Sequence, residues 1–74
     1  MTEHQLGAIL KQMYNDAPKG EKVSNIYLFG IQYATIISAE KLSVKEIVTA
    51  SGLPLSYVVE VSGGIKLSKY VVPR

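Results

Sequence analysis

The sequence predicts an all-α protein, a small four-helix domain with a short extended segment at its C-terminal end. Apolar residues recur at three- and four-residue steps in four separate stretches. Two Thr/Ser-x-x-Gln/Glu boxes, Thr2 with Gln5 and Ser43 with Glu46, mark helix starts. Pro18, Gly20, Gly52 and Pro54 fall between the stretches and break them. A chain of 74 residues allows one domain and buries a smaller share of its surface than a domain of ordinary size. It contains no cysteine, so neither a disulfide framework nor a thiolate zinc site can hold it together, and packing must. The hydrophobic fraction of 47% can supply either a dense core or a face for self-association.

The first helix is expected over residues 3–16. Thr2 and Gln5 cap it, and Leu6, Ile9, Leu10 and Met13 form its inward stripe. Pro18 disfavours helical geometry in the residue before it, so a loop follows over 17–23. The second helix is expected over 24–39, with Ser24 as its cap and Val23 stapled onto Leu28. Its stripe is Ile26, Phe29, Gly30, Tyr33 and Ile37; Leu28, Ile31 and Ile36 lie off it, leaving a polar strip of Asn25, Gln32, Thr35 and Ser38. A helix apolar on this much of its circumference is central or dimeric. Gly30 costs about 1 kcal/mol of helix propensity in an interior position, and a closely crossing neighbour is the structural reason for it.

The third helix is expected over 43–51, with Val44, Ile47 and Val48 inward, and the fourth over 54–62, with Val58 and Val61 inward. Between them Gly52 suits a sharp turn that needs a positive φ, Leu53 plugs the corner, and Pro54 opens the fourth helix with its φ already set. Gly63 and Gly64 are expected to end that helix. Residues 65–74, IKLSKYVVPR, alternate weakly and are rich in β-branched residues, which predicts an extended tail. In the alternative arrangement, 57–61 and 65–71 pair as a hairpin about Ser62-Gly63-Gly64.

The stretch Leu42-Ser-Val-Lys-Glu-Ile-Val-Thr-Ala-Ser-Gly-Leu-Pro-Leu-Ser-Tyr-Val-Val-Glu-Val-Ser-Gly-Gly64 resembles the helix-turn-helix of phage-repressor-like (XRE/Cro type) regulators. The matching points are Leu42, Glu46, Ile47 and Val48, Gly52-Leu53, Ser56-Tyr57, Val58, Glu60, Val61 and Gly64, and Tyr33 and Ile36 fall where that family keeps core residues of the preceding helix. The resemblance implies a DNA-binding transcriptional regulator whose fourth helix enters the major groove. Leu55, Ser56, Val59 and Glu60 would then face the bases. The chain departs from the family at positions that touch DNA. Val44 stands in place of a frequent glutamine, Pro54 in place of a serine cap, and Leu55 and Val59 in place of polar readers. Aliphatic side chains there can meet thymine methyl groups, with Ser56 making a polar contact, whereas Glu60 sits poorly against phosphate.

Charge is uneven along the chain. Residues 1–40 hold three lysines against four acids, a net −1, and residues 41–74 hold five bases against two acids, a net +3. Lys45, Lys66 and Lys69 are the candidates for neutralising phosphates. Double-stranded DNA is the expected partner and a homodimer the expected assembly. The other reading keeps the helix-turn-helix as a scaffold and uses Leu55 and Val59 to dock a protein.

Other classes find little support in the residues. The only histidine, His4, sits on the first turn of the first helix with no second titratable group placed beside it by the sequence, so no catalysis is expected. The five tyrosines are too scattered for a platform that stacks single-stranded bases. The acids lack calcium-loop spacing, and a transition-metal site would need cysteines or a second histidine; no metal or cofactor is expected. The N-terminal residues contain no long apolar run, which predicts a cytoplasmic protein without a membrane span.

Overall fold

The computed structural model describes residues 1–71. Helix α1 spans Glu3–Asp16, α2 Lys22–Ala39, α3 Val44–Ser51 and α4 Val58–Leu67, the last preceded by one 3-10 turn at Leu55–Tyr57. The helices pack as two pairs, α1 with α3 and α2 with α4, around a single core. Leu6 and Leu10 of α1, Ile26 and Phe29 of α2, Ile47 and Val48 of α3, and Val61 of α4 are wholly withdrawn from solvent. At about 25 cal/mol per Å² of apolar surface, these seven side chains are the main source of stability in a chain with no covalent staple.

Helix α1 begins where the sequence places it. Thr2 Oγ1 accepts the Gln5 N–H at 3.1 Å and Gln5 Oε1 accepts the Thr2 N–H at 2.9 Å, a complete capping box. Its other end is closed by α2. Lys22 Nζ donates to the Tyr14 carbonyl at 3.0 Å, and Asn25 Nδ2 donates to the Met13 carbonyl at 2.9 Å. Asn25 therefore belongs to a helix junction and not to a solvated strip, while Gln32, Thr35 and Ser38 are exposed as expected.

Helix α2 starts two residues earlier than the sequence suggests. The Glu21 N–H turns back to the Pro18 carbonyl at 2.9 Å, and the Glu21 carbonyl accepts the first helical bond, from Asn25, at 3.1 Å. Ser24 is inside the helix and caps nothing, and Val23 is exposed instead of stapled. The turn at Pro18–Glu21 and the pull of Lys22 on the end of α1 set this start, and neither is local to Ser24. At its other end α2 closes in a Schellman motif: the Leu42 N–H reaches the Ile37 carbonyl at 3.0 Å and the Lys41 N–H the Ser38 carbonyl at 3.3 Å. Lys41 takes the left-handed position, φ 53°, usually given to glycine.

Helix α4 differs most from expectation. It does not stop at Gly63 and Gly64 but runs through both to Leu67, and residues 68–70 continue as turns. Neither the extended tail at 65–71 nor the hairpin with 57–61 forms, and among the described residues there is no strand. Residues 72–74 of the expected tail lie outside the described residues. The reason is tertiary. A Cβ on Gly30 would strike the Val61 carbonyl oxygen and stand 3.0 Å from the Gly64 Cα, and a Cβ on Gly64 would strike the Tyr27 carbonyl oxygen. The two glycines let α2 and α4 cross backbone against backbone, so the close neighbour predicted for Gly30 is α4 itself. Packing against α2 offsets the propensity that two adjacent glycines cost a helix.

Candidate functional site

Helices α3 and α4, joined by a tight corner, form the candidate site. Ser43 Oγ accepts the Glu46 N–H at 3.3 Å, half of the predicted capping box. The other half is supplied from elsewhere: the Ser43 N–H donates to Glu3 Oε2 of α1 at 3.2 Å, not to Glu46. The Glu3 carboxyl is held below its ordinary range by the backbone N–H groups of Glu3 itself and of Ser43.

The corner is built as the sequence predicts at Gly52, which has φ 78° and ψ 2°, the left-handed geometry that glycine adopts without strain. Its N–H donates to the Thr49 carbonyl at 3.1 Å. The buried Ser51 supplies a support the sequence reading missed, because its hydroxyl donates to the Val48 carbonyl and accepts the Leu53 N–H at 3.2 Å. Leu53 packs against the core. Pro54 does not open the helix. Its ψ of 141° is extended, and it precedes the 3-10 turn without a side-chain cap, so α4 proper begins at Val58.

The outward side of this last helix carries the candidate contact residues. Leu55 is 52% exposed and Val59 70% exposed, and Ser56 is open to solvent. Because α4 continues through the glycines, the half-buried Ser62 and the exposed Lys66 follow at the same helical spacing, giving Leu55, Val59, Ser62 and Lys66 at steps of four, three and four. The same spacing is present in the sequence, and the expected stop at Gly63 hid it. Tyr70, in the following turn, is 82% exposed. Glu60 differs from its three companions. It is half-buried, its Oε2 is closed to solvent without a hydrogen-bond partner, and its charge acts on Tyr57. The Tyr57 hydroxyl lies 3.4 Å from that of Tyr14, a pairing that, with burial, pushes the Tyr57 phenol above its ordinary range.

The three candidate lysines are all exposed, but they are not gathered in one place. Lys45, on the first turn of α3, lines a groove with Glu3, His4, Glu46 and Thr49. Lys69 lines another, with Thr35 and Ser38 of α2 and Ile65 of α4. Lys66 stands on the last turn of α4, about 10 Å along the axis from Val59 at about 1.5 Å per residue. The phosphate candidates thus sit on three different parts of the surface, and neither groove includes Leu55, Ser56 or Val59. His4 is exposed and has Glu3, Lys45 and Glu46 along the same groove. Among the described residues no cluster of three or more His, Cys, Asp or Glu could hold a metal ion, and no helix is long and apolar enough to cross a membrane.

A capped short helix, a glycine corner with a buried leucine, and a second helix with a solvent-facing side define a helix-turn-helix domain. The family whose description is HTH-like domain matches residues 2–74, nearly the whole chain, and the protein belongs to it. The match supports the helix-turn-helix at large and not the XRE/Cro type in particular. No curated protein and no solved structure gives a significant match.

Proposed function

We propose that this protein is a small DNA-binding regulator of the XRE/Cro kind, in which α4 and the 3-10 turn at Leu55–Tyr57 that leads into it enter the major groove of double-stranded DNA. The observation that carries this reading is the free outward side of that helix within a helix-turn-helix frame, with Lys66 exposed on its last turn. Leu55, Ser56 and Val59 meet base edges, and Lys45, Lys66 and Lys69 neutralise phosphates. Glu60 lies at the margin of the contact; its inward-turned oxygen lessens the conflict between a carboxylate and the DNA backbone. The protein acts as a homodimer, which doubles the contacts and sets the spacing of two half-sites. It performs no catalysis and requires no cofactor.

A second reading is a protein-docking module. The exposure of Leu55, Val59, Leu67 and Tyr70 along and beyond one helix favours it, since exposed aliphatic and aromatic groups on a small domain suit a protein surface.

Fluorescence anisotropy with labelled duplex DNA across a salt series separates the two. Affinity is expected to fall steeply with salt, and each of Lys45→Glu and Lys66→Glu should lower the slope of log K against log salt by about one or more. Absence of binding at low salt by protein with intact helical circular dichroism overturns the DNA reading in favour of docking.

A further inference from the structure

The proposed reading helix carries two aliphatic side chains where polar readers are usual, and their exposure restricts what they can recognise. We infer that the protein selects its DNA site through the C5-methyl groups of thymine, with Leu55 and Val59 as the methyl-reading residues. This inference rests on the DNA-binding reading.

In the major groove every base presents hydrogen-bonding groups, and thymine alone among the four adds an apolar one. Leu55 and Val59 stand one turn apart on the outward side, 52% and 70% exposed, and neither can donate or accept a hydrogen bond. Against guanine, adenine or cytosine edges they would strip water from donors and acceptors and replace it with nothing, which is unfavourable. Against thymine they bury a methyl. The same pair therefore attracts one base and penalises the others. Leu55 lies in the 3-10 turn and Val59 four residues on in the first turn of α4; at about 2.0 Å and about 1.5 Å of rise per residue they are about 7 Å apart along the axis, two base-pair steps of about 3.4 Å, so the two methyls should belong to thymines within two steps. Ser62 is small and half-buried and so adds no bulk to the next turn, the exposed Lys66 supplies a positive charge beyond it for the phosphate backbone, and the exposed Ser56 adds a hydroxyl beside Leu55. The one acidic residue on the helix, Glu60, has a carboxylate oxygen turned in from solvent.

The test begins with selection of a duplex from a random-sequence pool by repeated capture on the full protein. That duplex is then resynthesised with uracil in place of thymine, which removes the methyl and keeps every base-pairing group. Two thymines within two steps are expected in the selected site. Each substitution there should weaken binding about fourfold and both together tenfold or more, by the value of a buried methylene-sized group. In Leu55→Ala/Val59→Ala protein the thymine-to-uracil ratio should fall to near one while the salt dependence stays. Both residues are exposed, so the variant keeps its fold, which circular dichroism checks. Equal affinity for thymine and uracil duplexes, a pool that binds without enriching, or a preference that survives in the double variant overturns this inference and leaves DNA binding standing. Failure to bind any duplex overturns the DNA reading itself and returns Leu55 and Val59 to a protein partner.

Discussion

The two helix crossings solve the same packing problem with different tolerances. Where α2 meets α4, glycine stands on both sides, Gly30 against Gly64, and a Cβ on either would meet backbone carbonyl oxygens. Where α1 meets α3, glycine stands on one side only. A Cβ on Gly7 would come within 2.7 Å of the Ala50 Cβ and 2.9 Å of the Ile47 carbonyl oxygen. The first crossing is backbone on backbone and has little to move; the second includes one small side chain that can be trimmed. Closeness of this kind also decides which helices are continuous. Helix α4 persists through Gly63 and Gly64 because α2 lies on it, whereas α3 ends at Gly52, which has no neighbouring atom within reach of a Cβ and is free to turn left-handed.

Gly64→Ala or Gly30→Ala should therefore have the largest effect, a loss of about 3 kcal/mol or more in urea unfolding. That is a large part of the roughly 4 to 11 kcal/mol expected for a domain of this length. A loss under about 1 kcal/mol in either variant would mean that the crossing is looser than described. Gly7→Ala should cost less, about 1–3 kcal/mol, and Ala50→Gly in the same chain should recover part of it by removing the nearer obstacle. No such neighbour can be trimmed at Gly64, so partial rescue at one crossing and none at the other is the sharpest form of the comparison.

Smaller effects are expected at the ends of the helices. Lys41→Gly should stabilise the protein by about 1 kcal/mol, since it relieves a left-handed residue in the Schellman turn before α3 and is read as a shift in the urea midpoint. Glu3 ties the start of α1 to the start of α3 through the Ser43 N–H, and its folded carboxyl has a pKa below the ordinary 4.5. A depressed carboxyl contributes stability fully above the unfolded value and loses it as pH falls through the folded one. Acid titration of Glu3→Gln should accordingly lose less stability below pH 4.5 than the parent, with the two curves offset but parallel above it. Identical slopes below that pH would remove Glu3 from the α1–α3 junction.

Features decided within a few residues were legible in the sequence. The Thr2–Gln5 box, the inward stripes of α1, α2 and α3, and the left-handed Gly52 all appear where local spacing places them, because each is settled by short-range backbone hydrogen bonding or helical periodicity. The errors share a cause in contacts distant along the chain. Ser24 has the chemistry of a cap, but Lys22 and Asn25 bind the end of α1 and carry the helix start upstream of it. Glu46 has the spacing to complete a capping box, but Glu3 reaches the Ser43 N–H across forty residues of sequence.

For the candidate site, sequence alone pointed to the fourth helix and to Leu55, Ser56 and Val59 as outward residues, since their spacing from the inward Val58 and Val61 sets them on the other side, although Leu55 and Ser56 lie in the 3-10 turn that leads into the helix. The match to the family over residues 2–74 belongs to the sequence as well. Tertiary structure decided the rest. It extended α4 past the glycines and so aligned Lys66 with Val59, it turned one oxygen of Glu60 inward, and it set Lys45 and Lys69 in separate grooves. The physical reason lies at the α2–α4 crossing. A Gly-Gly pair taken alone favours the end of a helix through backbone entropy, and only Gly30 on a neighbouring helix, placed at contact distance by the folded core, makes continuing the helix the lower free energy.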